Sequence, residues 1–501
     1  MLFPIIFPMI AGFLLLAMKE VKNRKWLTGM VGVSLALTGG SAVYALSYAQ
    51  GREIILFHLT RALPVYFRPD ALGLLFVAIV SAVWTLAGFF SFAYMAPGHG
   101  ENAKGEKRFY GFYLMVFGVL NGLGFAGNLV TFYLFYELMT LLSLPLVLHT
   151  GTREAIMAGL KYLFYSLGGA YLVLFGLYFL CRFAKTLTFT GGGVLDETLA
   201  PGREGIWLAL AFLMILGFGV KAGMFPVHAW LPTAHPVAPA PASAVLSSVI
   251  VKAGVLGTVR VVYYMFGADL LRGTWVQTVW LTLTLLTVFM GSMLAFRENG
   301  LKKRLAYSTV SQVSYILFGL ALLEPQAVCG AMLHMTFHAF IKCGLFLTAG
   351  TIIHQTGKTK VDELRGIGKM LPVTMWCFTL ASFALVGIPP ANGFISKWYL
   401  AQGALSSGVP VFSWLGPVVL LISALLTAGY LFPVAMRAFF PGSGYLYPAQ
   451  EGERGIFFSL KKEGPFVMMA PLLALAALSV LPGIFPERLV AYISEIVMGI
   501  L

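Results

Sequence analysis

An all-α, polytopic membrane protein is the expectation from three observations: the apolar composition, the repeated length of the apolar runs, and the placement of the basic residues. Of 501 residues, 59% are hydrophobic and 11% are charged, against about 25% charged in a soluble domain. Runs of about 20 apolar residues, enough to span a ~30 Å hydrocarbon core, recur along the whole chain. They lie near 2–18, 27–48, 71–95, 109–126, 128–148, 155–183, 205–228, 242–265, 275–296, 304–323, 326–355, 371–405, 413–439 and 465–484, about fourteen transmembrane helices with the run at 371–405 interrupted. The first run has no basic stretch ahead of it and continues into a basic loop. A retained helix is therefore expected there, not a cleaved signal.

The net charge of +14 raises the question of nucleic acid, and the placement of the charge answers it. Most Lys and Arg residues follow odd-numbered runs, including Lys19, Lys22, Arg24 and Lys25; Arg297, Lys302, Lys303 and Arg304; and Lys358, Lys360, Arg365 and Lys369. Such a bias marks the cytoplasmic face. It places both termini on the outer side of a cell membrane, with lipid as the surroundings and no nucleic-acid partner. Cys181, Cys329, Cys343 and Cys377 lie in or beside apolar runs and form no CxxC pair. A thiolate metal cluster or disulfide framework is not expected, and small buried apolar residues are. Neither a cofactor nor a metal is expected.

Five lysines fall outside the loop pattern. Lys161, Lys221, Lys252, Lys342 and Lys397 all sit inside apolar runs, as does Glu137 in TFYLFYELMTLLSL. A charge at the centre of a span costs roughly 2.5–3.5 kcal/mol on insertion scales. A single lysine near a helix end can snorkel to the interface, and Lys161 is the member that this explains best. Lys252 lies too deep in its run for that. The set is expected to face a shared hydrated interior and to form an ion or proton pathway. Desolvation loosens a lysine's hold on its proton and a nearby carboxylate tightens it, so Glu137 is the natural switch.

The stretch GAMLHMTFHAFIKCGLF places His334, His338 and Lys342 at i, i+4 and i+8. A helix stacks these on one face about 6 Å apart, a spacing that water can bridge into a proton relay. Satisfied core histidines are one alternative. A zinc site is another, but His334 is not followed by Glu in an HExxH pattern and no further ligand is evident.

Two runs are broken. Lys221 is followed by Pro226, His228 and Pro232, of which the two prolines remove backbone donors; Pro389, Pro390 and Gly393 precede Lys397, 176 residues further on. Broken helices are tolerated at membrane depth where they line a cavity or contact protein, and paired breaks suggest internal repeats. AIMAGLKYLFYSLGG resembles AVCGAMLHMTFHAFIK at an offset of about 173, which sets Lys161 against His334. Pro and Gly also occur in membrane helices for packing reasons alone.

At these residues the chain resembles the antiporter-like subunits of respiratory complex I, Mrp-type cation/proton antiporters and membrane-bound hydrogenases. FYELMTLLSLPLV, LKYLFYSLG, VKAGMFPVHAWLPTAHPVAPAPASAVLSSVIVKAG, LKKRLAYSTVSQVSYILFGL, HMTFHAFIKCGLFLTAG and GIPPANGFISKW carry the resemblance, in the family's order. It implies fourteen helices with two inverted five-helix repeats, broken helices 7 and 12, and a polar axis in the membrane plane. The implied division is 1–108 for helices 1–3, 109–265 for the first repeat, 275–439 for the second, and 440–501 for the remainder. Carried over by motif, Glu137 is the acid of helix 5 and Lys221 its partner on broken helix 7. Lys252 belongs to helix 8, His334, His338 and Lys342 to the relay of helix 11, and Lys397 to broken helix 12. Lys161 matches a lysine of helix 6, and His228 lies where a gate is expected. The best likeness is to the D-type Mrp subunit or its hydrogenase counterpart. Lys397 stands where some relatives carry glutamate, and PPANGFISKW departs from a plain complex I subunit.

The expected activity is proton translocation, with sodium exchange as a possible coupled step. The expected partners are other antiporter-like and small membrane subunits, and hydrogenase or quinone-reductase subunits. A stand-alone transporter of an organic solute and a non-pumping scaffold are the competing readings. No Gly-rich nucleotide loop, nucleophile triad or metal cluster suggests an enzyme in its own right.

Overall fold

The structure is a computed structural model and describes residues 1–19, 23–60, 63–96, 103–195, 202, 204–442 and 463–501. Lys22, expected in the first basic loop, and residues 443–462 lie outside the described residues. The helices are α1 (Phe3–Ala17), α2 (Arg24–Leu46), α3 (Ala71–Tyr94), α4 (Ala103–Phe125), α5 (Leu129–Val147), α6 (Arg153–Phe183), α7 (Glu204–Ala222) and α8 (Leu231–Val237). After them come α9 (Ala240–Phe266), α10 (Ala268–Leu271), α11 (Trp275–Arg297), α12 (Leu301–Ala321), α13 (Pro325–Thr356) and α14 (Ile367–Met370). The last are α15 (Pro372–Val386), α16 (Asn392–Ser406), α17 (Phe412–Phe439), α18 (Phe466–Ile484) and α19 (Glu487–Met498). Among the described residues ten helices are long and apolar enough to cross a membrane, and α1 and α15 are shorter apolar helices.

Two elements lie outside the apolar-run pattern. An antiparallel hairpin, β1 (Ile54–Thr60) and β2 (Leu63–Phe67), joins α2 to α3. Its strand IILFHLT is apolar but far too short to span. The second is α19, a short amphipathic helix whose Ile493, Ile496 and Val497 are buried.

Layering follows from which helices are apolar on every side. α9 and α13 are enclosed by protein, whereas α2, α6, α17 and α18 present much of their apolar surface outward. Phe164 and Tyr178 of α6 are about three-quarters exposed, as lipid-facing side chains are. Cys181 lies on this same helix and is exposed, contrary to expectation; Cys329, Cys343 and Cys377 are buried.

Both interruptions are present, and each begins at a glycine. α7 stops at Ala222, Gly223 takes φ +77°, and the chain turns through Pro226 before α8 resumes. Pro232 does not break a helix: it lies in the first turn of α8, where a missing N–H costs nothing. α15 ends at Gly387, φ +91°, and α16 begins after Pro389 and Pro390. A helix interior would pay heavily for any of these prolines.

α9 contains two π turns, Leu246–Ile250 and Arg260–Phe266. A π turn takes carbonyls off the regular ladder. The carbonyls of Tyr263 and Met265 accept from the N–H groups of Gly192 and Val194 at 3.1 and 2.9 Å. Midway along α9, Gly254 lets the helix lie directly on α7. A Cβ there would meet the Phe218 carbonyl oxygen at 2.7 Å and the Ala222 nitrogen at 2.8 Å.

Ion pairs tie α2 and α3 to the bundle at opposite ends. Arg260 of α9 donates to both carboxylate oxygens of Asp70, at 2.5 and 2.6 Å, and Tyr264 donates to the same group at 2.8 Å. Asp70 also caps α3 through the Gly73 N–H. At the other end Arg24 of α2 donates to Glu106 of α4 and to the Phe92 carbonyl of α3. Another acid, the buried Glu463, caps α15: it accepts from the Val373 and Thr374 N–H groups and from the Thr374 hydroxyl. Burial pushes its carboxyl above the usual range, and the Thr374 and Val373 donors hold that rise back.

Two stability measurements follow. Gly254→Val overpacks the α7–α9 contact and should cost about 1–3 kcal/mol, seen as a lower thermal midpoint of the detergent-solubilised protein. Asp70→Asn leaves the buried Arg260 without its counter-charge and should cost about 3 kcal/mol or more. Asp362→Asn breaks the exposed Arg437–Asp362 pair and should cost less than about 1 kcal/mol. Equal midpoints for the two Asp variants would contradict the difference in burial.

Candidate functional site

The buried lysines lie inside the bundle, and the structure shows what holds each of them. Lys221 comes at the last turn of α7, just before the break, and is fully buried. Its ammonium donates to the hydroxyls of Thr140, Tyr162 and Ser166 at 2.9, 3.1 and 2.9 Å. It also lies 4.5 Å from the centroid of the Tyr162 ring, where a cation is attracted to the π face. Trp230, just past the break, donates its indole N–H to the Val220 carbonyl at 2.7 Å, which pins the two halves together. Glu137 lies on the same α5 helix, one turn before Thr140. It forms no salt bridge with Lys221, and its Oε1 is buried without a hydrogen-bond partner.

Lys252 sits two residues past the first π turn of α9. It donates to the Ser247 carbonyl of that turn at 2.7 Å, and its Nζ lies 2.7 Å from His338 Nδ1 on α13. The His338 and His334 rings stack 5.7 Å apart. His334 Nδ1 lies 2.9 Å from the Ser396 hydroxyl on α16, next in sequence to Lys397. Lys397 donates to the Leu385 and Val386 carbonyls at 2.6 and 2.9 Å. Those are the last carbonyls of α15, left free because the helix stops there. The break therefore builds the lysine's site.

Lys342 is fully buried but turns away from the two histidines. It donates to the Leu305 carbonyl at 3.0 Å and to the Ser308 hydroxyl, both on α12. The i, i+4, i+8 spacing rotates each step by about 40° relative to the helix face, and by Lys342 the neighbour has changed from α16 to α12. Lys161 is half-buried on α6 and makes no hydrogen bond or ion pair among the described residues. His228 is also half-buried, stacked 6.0 Å from the Phe225 ring in the turn between α7 and α8. These two lie at the margin of the site.

The sequence reading missed three groups. His235 of α8 is fully buried, stacked 4.6 Å from Phe346, and neither ring nitrogen has a partner. It closes the same HAWLPTAH motif as His228, and its place there was the available signal. Gln312 of α12 is fully buried with both side-chain polar atoms unpartnered. Arg260 lies inside the eighth apolar run, but counting it with the outer loop charges hid it. Nε2 of His334 and of His338 also lacks a protein partner. Among the described residues no group of three or more His, Cys, Asp or Glu side chains is arranged to hold a metal ion.

Residues 126–427, which contain every lysine and histidine described above, match the family described as NADH:quinone oxidoreductase/Mrp antiporter, TM. The N-type subunit of NADH-quinone oxidoreductase from Desulforudis audaxviator is 32% identical over 437 residues, covering 85% of each chain. A Na(+)/H(+) antiporter subunit of Bacillus subtilis is 27% identical over 463 residues, 89% of this chain and 90% of that one. In fold, the chain is similar to one in the Mrp complex from Dietzia sp. DQ12-45-1b, with a TM-score of 0.82 at 21% identity over 100% of this chain and 96% of that one. The chain belongs to the NADH:quinone oxidoreductase/Mrp antiporter membrane family.

Proposed function

We propose that the chain is a proton-translocating subunit of a larger membrane assembly, either an Mrp-type antiporter or a redox-driven complex such as a membrane-bound hydrogenase or complex I. The observation that carries this reading is Lys221: a fully buried ammonium held by three neutral hydroxyls, with the carboxylate of Glu137 unpaired one turn from Thr140. A group of that kind changes its hold on a proton when the carboxylate moves, since an approaching negative charge favours the charged form. A proton taken up at Lys221 or Lys252 passes to His338 and His334 and leaves by way of Lys397. The unpartnered nitrogens of both histidines favour water along this route, because buried polar atoms without protein partners are normally served by it. Lys161 and His228 are assigned to the entry side of Lys221.

Fourteen spans are proposed, with repeats over 109–265 and 275–439, on the strength of two breaks that each carry a lysine. Both termini are placed on the outer side of a cell membrane by the basic-loop bias. The partners are other antiporter-like and small membrane subunits, with hydrogenase or quinone-reductase subunits in a redox-driven host. Sodium is the proposed counter-ion in an Mrp-type host, after relatives named as Na(+)/H(+) antiporter subunits.

Lys221→Ala in the assembled complex should lower proton translocation by about a hundredfold or more, the scale of a lost proton-transfer group, while the complex still assembles. Dye-reported acidification of membrane vesicles measures it. Near-normal translocation would favour the scaffold reading, and a chain that purifies alone and binds an organic solute would favour the solute transporter.

A further inference from the structure

Lys342 does not join the histidine file, and its actual neighbours lead elsewhere. On α12, Ser308, Ser311, Gln312 and Tyr315 recur at i, i+3, i+4 and i+7, so they share one face. That face meets α17, where Ser423, Thr427 and Tyr430 repeat at i, i+4 and i+7, and Ser292 of α11 completes the layer. All seven hydroxyl groups are buried.

The contacts fall in groups spaced along the layer. Lys342 donates to Ser308. The Tyr430 hydroxyl donates to Thr427 at 3.3 Å. One turn along α17, Ser423 lies 2.5 Å from Ser292 and 3.3 Å from Ser311, and Ser292 and Ser311 are 2.8 Å apart. The Tyr315 hydroxyl donates to the Leu420 carbonyl at 2.8 Å. The Tyr315 ring then faces Lys397, whose ammonium is 5.2 Å from its centroid.

Resting on the proton-translocating reading above, we propose that this hydroxyl layer is a second proton lane, joining Lys342 to Lys397 in parallel with the His338–His334 file. A hydroxyl both donates and accepts, so a file of them passes a proton by accepting on one side and releasing on the other. No bond other than O–H and N–H is made or broken, and no co-reactant is required. The serine trio does not suit a metal cation: its oxygens touch one another, whereas a bound ion needs them held apart around it. The unpartnered amide of Gln312 marks the point where water joins the lane. Ordinary helix glue is the competing explanation for interhelical hydroxyls. Glue affects stability but leaves proton flow alone.

The test compares proton translocation in vesicles containing the assembled complex. The variants are Ser311→Ala with Ser423→Ala, His334→Asn with His338→Asn, and all four together. Two parallel lanes predict that each pair keeps about half the rate while the four together keep less than about a tenth, a non-additive loss. Ser423→Thr, which retains the hydroxyl, should keep the lane that Ser423→Ala loses. Unchanged flow on removing the hydroxyls, alone and in the histidine-free background, would overturn the proposal. Complete loss from the hydroxyl pair alone would overturn it too, since the lanes would then be in series. The underlying reading is judged separately, by Lys221→Ala.

Discussion

Burying an ammonium group in an apolar bundle requires an oxygen or nitrogen partner, and much of this architecture supplies one. Hydroxyls from α5 and α6 serve Lys221. A π-turn carbonyl serves Lys252, a carbonyl and a hydroxyl of α12 serve Lys342, and the open end of a broken helix serves Lys397. None of these four forms a salt bridge among the described residues. A contacting carboxylate would fix the charged form. Neutral oxygens satisfy the donors while leaving each amine free to exchange its proton. Irregular backbone serves the same need at Lys252 and Lys397, where a π turn and a helix break release carbonyls.

Paired charges are used differently. Asp70–Arg260 and Arg24–Glu106 lie toward opposite ends of the bundle and join α3 to α9 and α2 to α4. Such pairs are costly to break once formed, which suits a frame. Arg260 and Lys252 share one helix, eight residues apart. One is locked by a carboxylate and two aromatic rings, the other held by a carbonyl and an imidazole. Frame and proposed conduit are thus built from the same residue chemistry with different partners.

Much of the fold was legible because lipid imposes a length. Every described spanning helix falls within a few residues of an apolar run, and the proline–glycine clusters mark both breaks. The lysines were legible because a charge inside such a run is rare and has few explanations. Their partners were not. Ser308, Thr140 and Ser166 are ordinary in membrane helices, and only the crossing of helices distant in sequence makes them ligands. Lys342 shows how far the spacing argument reaches: the helical period placed it near the histidines, but the neighbouring helix decides what it touches. The hairpin at 54–67 and the amphipathic α19 were invisible to an argument built on span length, being too short to cross. Arg260 was obscured by assigning every terminal charge to a loop.

Whether the interior is wet decides between a conduit and a packed scaffold. A density map of the assembled complex that resolves ordered solvent addresses this without perturbing the chain. Water should appear within hydrogen-bond reach of Nε2 of His334, Nε2 of His338 and the amide of Gln312, linking Lys252 toward Lys397. Apolar side chains filling those positions, with no solvent between the imidazoles and the amines, would contradict proton passage through this protein.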